Sequence, residues 1–186
     1  MKTIKRIFII IIFSLSGCNN KQVDLIKKEN GGHMTNNEEK KNPYYSRTDT
    51  SKLNVSDSEW KQILPDNIYY VAREKGTERA FTGKYWNTEG VGTYYCKVCG
   101  NELFRSDEKF ASSCGWPSFF ETTRKNSVVY HPDSSHGMNR IEVLCGRCDS
   151  HLGHLFDDGP PPTGKRYCMN SIVLDFDSDE SKKANQ

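Results

Sequence analysis

Arg140-Ile141-Glu142-Val143-Leu144-Cys145-Gly146-Arg147-Cys148 is a short Val/Ile/Leu run that stops in a C-x-x-C pair. Gly92-Thr93-Tyr94-Tyr95-Cys96-Lys97-Val98-Cys99-Gly100 repeats that plan earlier in the chain. Runs of this length, rich in Val, Ile, Tyr and Phe and bounded by Gly, Pro, Asn and Asp, are strand signals. Ser127–His131 and Ser171–Phe176 are two more. No long segment of helical period and no strand–helix–strand spacing lies between them. The pattern therefore predicts a mainly β, antiparallel domain with long functional loops. Two short helices precede it. Ser56-Asp57-Ser58-Glu59 has the form of a capping box, with Trp60, Ile63 and Leu64 at helical spacing and Pro65 as the stop. Asp66 is placed to cap a second helix through Tyr70, Val71 and Arg73, with Gly76 at its C-terminal end. Both helices read as scaffold.

The knuckles carry chemistry. Two-residue spacing lets both thiolates of each pair face one ion. Together Cys96, Cys99, Cys145 and Cys148 offer a tetrahedral thiolate set suited to one structural Zn²⁺, with no position left open for substrate. The 45 residues between the knuckles (100–144) exceed a zinc-ribbon spacing, so a domain's worth of loop separates them. A redox pair or two disulfides are the competing readings. Adjacent-cysteine rings of that kind are strained and better suited to redox chemistry than to stapling, which favours metal.

The chain has 186 residues and seven cysteines, an odd number that no closed disulfide framework can use up. Net charge is +2 and mean hydropathy −0.75, which excludes a polytopic membrane protein and gives no electrostatic reason to expect nucleic acid. Lys2, Lys5 and Arg6 followed by the apolar run Ile7–Phe13 form a signal-peptide pattern too short to span a bilayer. Leu15-Ser16-Gly17-Cys18 then resembles the lipobox of bacterial lipoproteins, in which the signal (1–17) is cut before a cysteine that carries lipid. An ordinary secretory signal or an uncleaved anchor are the alternatives. Each implies export, and the lipoprotein form implies a membrane anchor on the extracytoplasmic face. Residues 18–55 are polar and read as a flexible linker, 56–177 as the folded domain, and 178–186 as a disordered tail.

Two cysteines remain. Cys114 lies in a Gly/Pro-bounded loop and Cys168 at the start of an apolar strand, with Arg166 two residues away on the same face to lower a thiol pKa. They suit a nucleophile with its resolving partner, or equally a single structural disulfide. His151 and His154 follow the second knuckle. They can serve as surface groups, as metal ligands, or as proton carriers beside a thiolate. Asp157–Gly164, with three consecutive prolines, forms a rigid wall or a connector.

With these residues in view, the sequence resembles the methionine-R-sulfoxide reductases, the MsrB family. The matching stretches are Gly76-Thr77-Glu78 with Phe81-Thr82-Gly83, Cys114-Gly115-Trp116-Pro117-Ser118-Phe119, Ser135-His136-Gly137-Met138-Asn139-Arg140, His151-Leu152-Gly153-His154 and Arg166-Tyr167-Cys168-Met169-Asn170-Ser171. They run in family order from about Ser56 to Phe176; Ala80, where proline is common, and Asp157 depart from the pattern. The resemblance implies two antiparallel sheets and a structural zinc on the four knuckle cysteines. It implies Cys168 as nucleophile, Cys114 as resolving cysteine, and His154 with His151 behind it as proton donors to the sulfoxide oxygen. Trp116, Arg166, Asn170 and Asp158 map to its substrate pocket. Its substrates would be oxidised methionines in proteins or peptides, and its electron donor a thioredoxin-like dithiol. The rival class is a zinc-stabilised binding or metal-handling lipoprotein with a static Cys114–Cys168 disulfide.

Overall fold

Short apolar and aromatic runs build the strands, and their burial records how each is packed. A computed structural model describes residues 41–184; the signal segment 1–17, Cys18, the linker as far as residue 40, and residues 185 and 186 lie outside the described residues. Two helices open the domain, α1 (Asp57–Ile63) and α2 (Asp66–Ala72). Nine strands follow: β1 (Gly92–Cys96), β2 (Glu102–Arg105), β3 (Lys109–Phe110), β4 (Ser118–Phe119), β5 (Val128–Asp133), β6 (Arg140–Cys145), β7 (His151–Phe156), β8 (Arg166–Met169) and β9 (Leu174–Ser178). A final helix, α3, spans Asp179–Ala184. The strands form a three-stranded sheet in the order β2-β1-β9 and a six-stranded sheet in the order β3-β4-β8-β7-β6-β5. Every pairing is antiparallel. The mainly β architecture of two antiparallel sheets with short N-terminal helices is the one expected.

An aromatic seam joins the sheets. Tyr94 of β1 and Phe104 of β2 are fully buried against Phe119 of β4, with ring centroids 5.0 and 4.3 Å away. Tyr167 of β8 packs on Phe104 from the other side. Aromatic pairs at these separations add to the burial of their area. Strand β1 sits in the middle of its sheet and is buried along its whole length, so it shows no polar alternation. Strand β5 is an edge and accommodates Pro132, which cannot donate to a ladder.

Local signals and structure differ in four places. Ser56 caps α1 as expected, accepting from the Glu59 N–H, but the Glu59 carboxylate receives the Tyr44 hydroxyl instead of closing the capping box. Asp66 is the first residue of α2, and Pro65 occupies the cap position without a side-chain bond. The linker expected through Val55 ends earlier. Residues 42–55 form an arm on the domain, where Tyr44, Leu53 and Val55 pack on the core and the Ser46 and Leu53 N–H groups donate to Cys99 O and Arg147 O. Polar composition hid this because the arm's partners are distant backbone carbonyls. The tail expected from residue 178 is likewise structured: Ser178 ends β9, and Asp179 of α3 holds Arg105 through two bonds of 3.0 and 2.8 Å.

Candidate active site and metal centre

The strands build the sulfur-rich site directly. Cys96 ends β1 in the small sheet and Cys145 ends β6 in the large one, each followed by a tight turn carrying its partner. All four knuckle cysteines are buried, their sulfurs lie within 4.8 Å of one another, and none is in a disulfide. The shortest cross-knuckle approaches, 3.8 Å for Cys96–Cys148 and 3.6 Å for Cys99–Cys145, are close to the roughly 3.8 Å edge of a tetrahedron with ~2.3 Å Zn–S bonds. Asn101 Nδ2 is 3.5 Å from Cys145 Sγ and the Ser150 hydroxyl 3.2 Å from Cys148 Sγ, both able to donate to a metal-bound thiolate. This set can hold a metal ion.

The second site forms where β4, β8 and β7 lie side by side. Cys168 does not begin the apolar strand that ends the chain; it belongs to β8, a separate strand before it. Its Cα pairs with Ser118 on one side and His154 on the other. Cys114 sits on the turn leading into β4, where Gly115 adopts φ +86° with no room for a side chain beside Phe81. That turn carries Cys114 Sγ to 3.6 Å from Cys168 Sγ. Beside the pair opens a cavity of about 120 Å³ lined by Thr77, Trp116, Arg140, Gly153, His154, Phe156, Cys168, Met169 and Asn170. Cys168 lines it and Cys114 does not.

His151 and His154 are three residues apart on one strand, a spacing that ordinarily faces opposite sides. The β6–β7 register slips between Val143 and Leu144, and this bulge brings the two imidazoles together with centroids 5.3 Å apart. Gly153 sits at that point, and a Cβ there would meet Cys168 O at 2.0 Å. Each ring is then tied to a carboxylate: His151 Nδ1 to Glu142 at 2.7 Å and His154 Nε2 to Asp133 at 2.8 Å. Glu142 also binds Lys75 at 2.8 Å, and Asp133 binds Arg140 at 2.6 Å. Bonds from Ser135, then from His154, hold the Asp133 carboxyl well below the usual carboxylate range. Burial lowers both histidines, so each is neutral at pH 7 and donates its N–H to its carboxylate. His151 stands behind His154 and does not line the cavity.

Trp116 and Asn170 are fixed by one residue that sequence reasoning passed over. The indole N–H donates to Glu78 O at 3.1 Å, and Asn170 Oδ1 accepts the Glu78 N–H. The Glu78 carboxylate caps the N–H groups of Ser171 and Ile172 just after β8. Arg166 and Asp158 lie beside the cavity instead of lining it: they form a two-bond pair at 2.7 and 2.9 Å, and the guanidinium stacks on Phe156, which does line it. The expected lowering of the Cys168 thiol by Arg166 does not prevail. Burial, followed by the charge of Cys114, pushes Cys168 up to about 12 against the pull of Arg166. Burial pushes Cys114 up as well, yet hydrogen bonds from Ser112 and Ser118 bring it down to about 7. Arg140, Asp133 and Glu142 were also missed as site residues. An acid inside the run Ile141-Glu142-Val143-Leu144 was the available signal for the last.

Comparison with known proteins agrees with this geometry. The SelR domain model matches residues 64–178. A protein of Acinetobacter baylyi named peptide methionine sulfoxide reductase MsrB is 53% identical over 129 residues, covering 69% of this chain and 93% of that protein. Its namesake in Acinetobacter baumannii is 52% identical over the same span. The one in Hahella chejuensis is 54% identical over 127 residues, covering 68% of this chain and 91% of its own.

Proposed function

The chain belongs to the MsrB family and is a peptide methionine sulfoxide reductase, and from that premise we propose how its residues divide the work on the R epimer. The observation that carries the assignment is the unequal placement of the two thiols. Cys168 faces the cavity with Trp116, and Cys114 waits 3.6 Å behind it.

Cys168 is the nucleophile. The neutral His154, with its Nε2–H held by Asp133, keeps a lone pair on Nδ1, and its Cα pairs with that of Cys168 on the adjoining strand. It takes the thiol proton, and the thiolate attacks the sulfoxide sulfur. The imidazolium, steadied by Asp133, returns that proton to the departing oxygen. The adduct, joined by the new bond between Cys168 Sγ and the substrate sulfur, then collapses: the protonated oxygen shifts to Cys168 Sγ as the substrate's S–O bond and the new S–S bond break, so methionine leaves and Cys168 is left as a sulfenic acid. Sulfur of the substrate has gained two electrons and Cys168 has lost two. Cys114 then displaces the hydroxyl as water, closing a Cys114–Cys168 disulfide. A thioredoxin-like dithiol reduces that bond and leaves as its own disulfide. The apolar face of Trp116 receives the ε-methyl group, which distinguishes R from S at a sulfur with three unlike substituents.

The ion of the knuckle site is Zn²⁺, held by Cys96, Cys99, Cys145 and Cys148; it stiffens the fold and takes no part in the reaction. Elemental analysis should find one zinc per chain. Cleavage of residues 1–17 and lipidation of Cys18 anchor the enzyme outside the cytoplasm. Radiolabelled palmitate should enter the wild-type chain and not Cys18→Ser; equal labelling refutes the anchor.

Purified protein should reduce the R epimer of a peptidyl methionine sulfoxide with dithiothreitol and leave the S epimer untouched. Cys168→Ser should abolish the reaction. Retained turnover in that variant, or equal use of both epimers, overturns the scheme.

A further inference from the structure

We propose that Arg140 receives the sulfoxide oxygen, and thereby makes the pocket read the oxidation state of its substrate; this rests on the reductase reading above. Methionine sulfoxide and methionine differ by one strongly polarised S–O group, so a site that separates them needs a donor aimed at that oxygen. Trp116 spends its indole N–H on Glu78 O, and Asn170 commits one of its two amide hydrogens to Leu152 O. His154 carries its hydrogen on Nε2, toward Asp133, so its other nitrogen presents a lone pair that would repel an oxygen. Cys168 must keep its sulfur free for attack. Three side-chain donors remain among the residues lining the cavity: the second amide hydrogen of Asn170 and the hydroxyl of Thr77, both neutral, and the guanidinium of Arg140, the one cation there.

Arg140 stands out for a second reason. Its Nη2 is committed to Asp133 at 2.6 Å and to Ser135 Oγ at 3.3 Å, but its Nε is buried with no partner among the described residues. An enclosed N–H on a charged group without an acceptor is costly, and a ligand oxygen admitted by a small shift of the guanidinium would remove that cost. Hydrogen bonds from a cation are also the stronger kind, and they strengthen as charge builds on the oxygen during attack. The same Asp133 carboxylate holds both Arg140 and His154, which sets the oxygen's receiver beside the proton's carrier.

Binding measured without turnover tests this. In a Cys168→Ser background, the affinity of a peptide carrying methionine-R-sulfoxide is compared with that of the same peptide carrying methionine. With Arg140 present the sulfoxide should bind more tightly. Arg140→Gln should weaken sulfoxide binding by about tenfold while leaving the methionine peptide unchanged, the loss expected for one charge-assisted bond. Asp133→Asn, which keeps the guanidinium, should preserve most of the preference. Should Arg140→Gln not fold, Arg140→Lys is to be used and should still lose several-fold. The proposal is overturned if the preference survives at Arg140, if Thr77→Val erases it instead, if Asp133→Asn reproduces the whole loss, or if the parent shows no preference. Turnover of the wild-type enzyme on the R epimer is measured alongside. An inactive wild type refutes the reductase scheme, and an active one with an unchanged preference in Arg140→Gln refutes Arg140 alone.

Discussion

Two half-buried sulfurs 3.6 Å apart resist ionising together, so the reduced pair loses its protons in sequence. Hydrogen bonds from Ser112 and Ser118 favour the anion on Cys114, which titrates at about 7. Burial and that neighbouring charge hold Cys168 at about 12. Thiolates are the species that alkylate, so reduced enzyme treated with iodoacetamide at pH 7.5 should be modified first at Cys114. Peptide mapping that finds Cys168 modified first would contradict this. Replacing Cys114 by Ser removes the like charge, so the Cys168 pKa should fall. The pH midpoint of single-turnover sulfoxide reduction by Cys114→Ser should then move toward acid, while recycling by a protein dithiol is lost. An unmoved midpoint in stopped-flow measurements would count against the pairing. Sequence reasoning found both thiols because their neighbours, Gly115-Trp116-Pro117 and Arg166-Tyr167, are distinctive, but it gave Arg166 the activating role. Proximity in sequence says nothing of Asp158 eight residues away, which claims the guanidinium, or of how deeply the thiol is buried.

Strands β1 and β6 were legible to the residue because each is a short apolar or aromatic run that stops in a C-x-x-C pair, a pattern that survives Arg140 and Glu142 in β6. Strands β7 and β8 were not. They spend their positions on His151, Gly153, His154, Arg166 and Cys168, residues that serve the site, and so lack the unbroken apolar runs that mark a strand in sequence. The glycine inside His151-Leu152-Gly153-His154 was the one clue to the bulge that turns both histidines the same way. It yields a prediction at this scale. In Gly153→Ala the new methyl would collide with Cys168 O, forcing β8 away from β7 and displacing the nucleophile. Stability should drop by about 1–3 kcal/mol, the usual cost of overpacking, and kcat with dithiothreitol should fall far more than that loss of folded protein explains. Parallel melting and kinetics check it; a variant with near-normal kcat would mean the strands tolerate the shift. The arm of residues 42–55 is the other illegible element. Its anchor is Arg147, 3% exposed, whose guanidinium donates to Ser51 O, Tyr44 O and Cys99 O and pairs with Asp49 at 2.8 Å. Arg147→Met takes the guanidinium from Ser51 O and Tyr44 O, leaves Cys99 O with only the Ser46 N–H, and should cost about 3 kcal/mol, read by urea unfolding. A loss under half a kilocalorie would show the arm to be only loosely held.

Across the whole molecule, the buried His151 and His154 and their carboxylates make stability depend on pH in one direction. Both histidines have folded pKa values below the ordinary one, so the unfolded chain binds protons more readily, and stability falls as pH drops below about 6.5. Glu142 and Asp133 are lowered too, and add a further loss as pH falls below the ordinary carboxylate range. The melting temperature should therefore decline from pH 7 toward 4, whereas a rise would reverse the sign of the network. The metal centre acts on the same scale by a different route. Cys96 leaves the small sheet and Cys145 the large one, so an ion on the four sulfurs ties the two sheets at one end while the seam of Tyr94, Phe104 and Phe119 joins them at another place. Structural zinc in small domains contributes on the order of 10 kcal/mol, comparable to the entire stability of a domain this size. Removing it with a strong chelator in mild denaturant should abolish the near-ultraviolet signal of the packed aromatics and the reductase activity together, although no knuckle cysteine lines the cavity. Zinc added back should restore both. Loss of activity with the aromatic signal intact would place the metal in the chemistry, and an unchanged melt after verified zinc removal would deny it a structural role.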